Sequence, residues 1–161
     1  MTTLCPDALR RAFGSFMTGV TVVTARQADG TPVGFTANSF ASVSLSPPLL
    51  LVCPGQFLSN YDAFATCTHF AVNVLAEGQE DISNTFAGYK GDRFARAAHH
   101  DDLHGVPVIA GATAQFSCTT HQALPAGDHC VLIGEVRAFH HTDQPGLGYV
   151  SGAYFSRGLE R

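Results

Sequence analysis

Apolar residues along this chain fall mostly into short β-branched or alternating runs separated by Gly, Pro, Asp and Asn. That is the pattern of strands joined by turns. The run VTVVTA (20–25) is rich in β-branched residues and reads as a strand. Asp29-Gly30 follows as a strong hairpin turn signal, so the uncharged stretch GFTANSFASVSLSPPLL (34–50) becomes the return strand. LLLVC (49–53) and HFAVNVL (69–75) predict further buried strands. ATAQFSCTTHQAL and HCVLIGEVRAFHH predict a long pair turning at PAGD (125–128), and LGYVSGAYF (147–155) predicts a last strand.

Helical spacing appears in three places. PDALRRAFGSFMTG has Pro6 and Asp7 suited to a helix start, puts Leu9, Ala12, Phe13, Phe16 and Met17 on one face, and has Gly19 as its stop. SNYDAFATC (59–67) predicts a short helix capped by Ser59 or Asn60, and EDISNTFAGY (80–89) a helix with Ile82 and Phe86 one turn apart. Residues 90–105 are polar and read as loop. Strands linked by hairpins and short helices, rather than by βαβ units, predict an α+β, mainly β chain: an antiparallel barrel with peripheral helices. A length of 161 residues fits a single domain over 1–161, large enough to bury roughly 70% of its unfolded surface without a metal or disulfide staple.

Composition narrows the function. Hydrophobic residues make up 45% and charged residues 14%; so few charges point to a surface partly covered, most simply by a second copy. The net charge of −4 and the lack of a basic stripe exclude a nucleic-acid groove. Five cysteines without C-x-x-C support neither a disulfide framework nor a zinc knuckle. No apolar span reaches the roughly 18 residues of a membrane helix, and MTTLCPDALRR lacks an apolar signal core, so the expectation is a cytoplasmic, non-membrane protein.

Three stretches are candidates for chemistry. The hydroxyl-rich run around Thr36, Ser39, Ser42 and Ser44 is either a solvated strand face or a wall for a phosphate or planar ring. Lys90, Arg93 and Arg96 fall within seven residues, after a stretch from Arg26 without Lys or Arg, and are either an exposed loop or the counter-charge for an anion. Asp128-His129 closes PAGDH, either as a structural corner or as a titratable pair in which Asp128 orients His129. His99, His100, His104, His140 and His141 lack metal-site spacing and read as solvated. Neither G-x-S-x-G nor a dinucleotide-binding G-x-G-x-x-G is present, so no metal, nucleophile or Rossmann site is expected.

In order and spacing, TGVTVVTA (18–25), GFTANSFASVSLSPPLLLVC (34–53), HFAVNVL, NTFAG (84–88) with DRF (92–94), GDHCVLIGEV (127–136) and LGYVSGAY (147–154) together resemble the small flavin reductases that serve two-component monooxygenases. The resemblance implies a split β-barrel, usually a homodimer, that uses NADH or NADPH to reduce FMN or FAD and supplies reduced flavin to a partner monooxygenase. It implies that Thr36, Ala37, Asn38, Ser39 and Phe40 line the isoalloxazine, and that Ser42 and Val43 continue that wall. Phe86 and Ala87 would approach from the later helix, with Lys90 and Arg93 toward the phosphate. His129, restrained by Asp128, and the strand from Tyr149 to Gly152 would lie near the nicotinamide. The turn PGQFLSN (54–60) departs from the family's basic, Ser-rich pattern, and Ser59 and Asn60 keep its polar character. Two alternatives stay open: a barrel that binds flavin, haem or another planar ligand without turnover, and one recruited to a different reaction with Asp128 and His129 as acid–base groups.

Overall fold

The structure, a computed structural model, describes residues 4–156. In chain order the elements are α1 (Pro6–Gly14), β1 (Thr18–Gly19), β2 (Thr21–Arg26), β3 (Pro32–Ala37), β4 (Ala41–Leu45), β5 (Pro48–Val52), α2 (Tyr61–Thr66), β6 (His69–Val74) and α3 (Glu80–Gly88). After a 3₁₀ turn (Phe94–Arg96) come β7 (His99–Asp101), β8 (Pro107–Ile109), β9 (Ala114–Ala126), β10 (His129–His141), β11 (Leu147–Val150) and β12 (Ala153–Ser156). Seven strands form one antiparallel sheet in the order β3-β2-β6-β9-β10-β5-β4.

The two edge strands of that sheet are consecutive in the chain. Only residues 38–40 separate β3 from β4, yet no ladder joins them among the described residues. The sheet therefore curls until its edges meet, and the barrel is split along the 38–40 seam. Its interior is filled by Val23, Ala25, Phe35, Val52, Phe64, Phe70 and Leu132. Period-two alternation sends the neighbours Val20 and Val22 to the outer face of β2, where they pack with Leu75, Phe86, Phe94, Ile109 and Leu147 beneath α3. Asn73 is buried between these layers: its Nδ2 donates to Val22 O (2.9 Å) and its Oδ1 accepts from Ile109 N (2.8 Å). Both ends of the amide are thus satisfied, which such burial requires.

Four sequence expectations are corrected. The stretch 34–50 is not one return strand. β3 pairs with β2 only as far as Ala37, and β4 then turns at Ser46-Pro47 to pair with β5. LGYVSGAYF is a hairpin, β11–β12, that turns at Ser151-Gly152 and adds β1 on its other side. Residues 90–105 are not all loop, because His99–Asp101 pairs with Pro107–Ile109. α1 stops at Gly14, short of Phe16 and Met17, and none of its residues is buried. The β9–β10 pair forms as expected, although its turn is confined to Gly127-Asp128.

Candidate active site

Beside the barrel seam lies a cavity of about 190 Å³ lined by Val20, Thr36, Ala37, Asn38, Ser83, Ala87, Tyr149 and Tyr154. Three elements build it. The last residues of β3 form one wall; Ser83 and Ala87, one turn apart on α3, form the second; the tyrosines of β11 and β12, with ring centroids 5.4 Å apart, close the third. Hydrogen bonds hold the walls together. Thr36 Oγ1 donates to Ser83 O (2.6 Å), and Thr21 Oγ1 donates to Ala37 O (2.8 Å). Tyr154 donates its hydroxyl proton to Asn84 Oδ1 (2.9 Å) and so accepts from Ser83 Oγ (2.8 Å).

Gly34, one residue pair down β3, lets α3 sit this close. A Cβ there would lie 2.7 Å from Phe86 Cε1 and 3.3 Å from Val23 O. Phe86 is accordingly core, 1% exposed, under β3 and edge-on to Phe94. Its helix neighbours, not its own ring, face the cavity. Arg93 braces the same junction: Nη1 donates to Gly34 O (2.8 Å) and Phe86 O (3.0 Å), and Nε to Tyr89 O (2.9 Å). Lys90 is exposed at the end of α3. The Arg96 guanidinium lies 3.8 Å from the centre of the Tyr89 ring, beside a groove lined also by Asn84, which accepts the Tyr154 hydroxyl proton.

Beyond the cavity the seam leads to a second cluster. Ser39 Oγ accepts from Cys53 N (2.9 Å), which ties the 38–40 link to the end of β5. Phe40 turns inward and stacks on Phe116. Ser42 and exposed Val43 lie on β4 at a bulge against β5. The turn 54–60 is then joined to the β9–β10 turn through a Gly55–His129 bridge and through Gln56 N donating to Asp128 O (2.9 Å). His129 Nδ1 lies 2.6 Å from Asp128 Oδ1. That hydrogen bond, reinforced by the imidazole's charge, holds the Asp128 carboxyl below the usual carboxylate range. An ionised Asp128 accepts from Nδ1–H, which leaves Nε2 as the ring's remaining polar atom. Ser59 and Asn60 lie farther along the same turn, and Asn60 precedes α2 without a side-chain cap. Gly152 occupies the exposed β11–β12 turn with φ +84°.

Of the expected residues, the structure gathers Thr36, Ala37, Asn38, Ala87 and Tyr149 in one cavity and Asp128 with His129 in a neighbouring cluster. Val20, Ser83 and Tyr154 complete the cavity and were not singled out from the sequence. The available signals were Ser83, four residues before Ala87 on one helix face, and Tyr154 inside the quoted motif LGYVSGAY. His104 is not solvated: its ring stacks on His69 at 4.0 Å, and its Nε2 is buried. Near-parallel imidazoles do not converge their nitrogens on one ion, and no group of three metal-ligating residues occurs among the described residues.

No thiol is poised as a nucleophile at the site. Burial pushes Cys53, Cys67 and Cys130 up and Cys118 up to about 12. No helix among the described residues is long and apolar enough to cross a membrane.

Residues 13–158 match the family described as flavin reductase like domain. The chain belongs to this family. The reductase component of a flavin-dependent trigonelline monooxygenase from Acinetobacter baylyi is 57% identical over 148 residues, covering 92% of this chain and 48% of that protein. An FMN reductase (NADH) from Agrobacterium fabrum is 46% identical over 158 residues, 93% of this chain and 86% of that protein. The solved NADH:FAD oxidoreductase of Streptomyces globisporus, in complex with NAD and FAD fragments, superposes with a TM-score of 0.90 at 37% identity over 99% of both chains. This flavin reductase domain spans about half the length of the trigonelline relative. The cavity has small side chains on two walls, tyrosine rings on the third and no charged group in its lining, which suits an uncharged planar heteroaromatic ring.

Proposed function

We propose that this domain is an NAD(P)H-dependent flavin reductase that takes FMN or FAD and passes reduced flavin to a partner monooxygenase. The observation that carries the reading is the seam cavity of about 190 Å³, which the end of β3 (Thr36–Ala37–Asn38) lines together with Ser83 and Ala87 of α3. When both cofactors are bound, the chemistry is hydride transfer from the nicotinamide to the flavin, which the cofactors themselves supply. The protein's part is orientation: rings held face to face at about 3–3.5 Å react without any protein nucleophile.

In this reading the split barrel leaves β3 and the 38–40 link without a ladder partner along the seam, so backbone N–H groups there can offset charge on the reduced ring. Ala37 and Ala87 admit the ring edge, and the Thr36–Ser83–Tyr154–Asn84 chain fixes the width of the slot. Lys90 and Arg96 supply positive charge on the phosphate side, while Arg93 acts mainly as a brace whose guanidinium is engaged by three carbonyls. His129 presents Nε2 to the carboxamide of the nicotinamide, held in that tautomer by Asp128.

The same reading makes the domain a homodimer, for which the low charge and the exposed apolar face of α1 speak. It makes the domain cytoplasmic, since all five cysteines are free. Purified protein with NADH or NADPH and FMN or FAD should consume the nicotinamide far faster than a protein-free control. Absence of turnover with all four pairings sinks the proposal.

A further inference from the structure

The turn 54–60 lacks the charge that would hold a phosphate, but it carries an aromatic ring in an unusual setting. Phe57 is 78% exposed, although its turn is firmly stitched down. Cys130 N donates to Pro54 O (2.9 Å), Gln56 N to Asp128 O (2.9 Å), and Gln56 Nε2 to Gly127 O (3.4 Å). The Phe57 ring stands edge-to-face with His129, centroids 5.7 Å apart and planes at 77°. It lies against Gly55, where any Cβ would overlap it. The result is a rigid corner: one plane is a bare phenyl face, the other an imidazole with a free nitrogen.

An open aromatic face beside a hydrogen-bonding ring suits a planar heteroaromatic base with polar substituents, because stacking uses the face and recognition uses the edge. None of Gly55, Phe57 and His129 lines the seam cavity, so the corner can hold a second ring without displacing one bound there. We propose that Phe57 is a stacking platform for a base of the nicotinamide dinucleotide, and that this turn binds the hydride donor through aromatic rather than ionic contact. The inference rests on the reductase reading above.

Steady-state assays at saturating flavin test it. Phe57→Ala should raise KM for NADH about tenfold, within the range that one lost stacking contact produces. The kcat and the flavin Kd should stay within about twofold, and Phe57→Tyr should behave as wild type. Gly55→Ala keeps the phenyl ring but forces it off its seat, and should reproduce the KM rise. An unchanged KM in folded Phe57→Ala protein overturns the proposal. So does a fall in flavin affinity alone, or conversion to a monomer that accounts for the KM change. If wild-type protein does not turn over, NADH titration followed by fluorescence separates the two failures. Binding weakened by Phe57→Ala upholds the platform without the reductase, and absence of NADH binding to wild type overturns both.

Discussion

Arg93 sits among three carbonyl oxygens, those of Gly34, Phe86 and Tyr89. Its position in the DRF motif invites a phosphate role, yet the side chain is the pin that fastens α3 to β3 beside the cavity. A forked guanidinium can serve several acceptors at once and an ammonium cannot match that geometry. Arg93→Lys and Arg93→Ala should therefore each lower stability by about 1.5–3 kcal/mol, the scale of hydrogen bonds from a charged group, read as a shift in the urea midpoint. Unchanged stability with FMN weakened relative to riboflavin would return Arg93 to the phosphate. The sequence singled this residue out for the phosphate side and left its carbonyl partners unread, since backbone carbonyls contributed by β3 and by the end of α3 leave no trace in residue identity. Phe86 is a similar case. The residues around it face the cavity, but a bulky ring on the neighbouring helix face belongs in the core, and Gly34 makes room for it.

At the scale of elements, the β-branched run of β2 and the alternation of β10 located these strands, helped by turns that carry Gly and Asp. It failed where pairing partners change without a turn signal. Residues 38–40 hold neither Gly nor Pro, so the switch from β2 as partner of β3 to β5 as partner of β4 is decided by barrel closure alone. β7 fails for the opposite reason: His99–Asp101 is exposed throughout and has no apolar face to read. The turn after it brings His104 onto His69, and this pair has a consequence for pH. Burial, and secondarily the charge of His104, lowers the pKa of His69, with Asp102 opposing and Arg137 assisting. A histidine whose folded pKa is lowered binds fewer protons folded than unfolded, so its contribution is intact above the ordinary value of about 6.5 and is lost as pH falls through the window below it. Melting temperature should fall between about pH 7 and pH 5 more steeply in wild type than in His69→Gln. Parallel curves for the two proteins would remove the stacked pair from the molecule's acid response.

At the scale of the whole molecule, α1 is the one α-helix among the described residues with no buried residue. Nine residues are too few for a helix to persist in water without tertiary support. α1 nevertheless buries no residue against its own chain, and its described tie to the barrel is Ser151 N donating to Gly14 O (2.7 Å). Its apolar side, Leu9 and Phe13 continued by Phe16 and Met17 beyond its end, lies in the open, with the two phenylalanines 70% and 77% exposed. The sequence places Leu9 and Phe13 together on the helix, extends that face too far to Phe16 and Met17, and cannot say whether the surface that covers these residues belongs to the same chain. The described chain does not cover them, and with only 14% charged residues the molecule has little else to keep such a face solvated. A second copy meets the requirement most simply, because an isologous contact covers both helices at once. The double substitution Phe13→Asp/Phe16→Asp removes no buried contact within one chain and should leave the monomer folded. It should convert the proposed dimer to monomer in size-exclusion chromatography with light scattering, with the far-ultraviolet circular dichroism of the strands retained. A wild-type monomer at micromolar concentration, or a variant that stays dimeric, would mean that the α1 face is covered by something other than a second copy.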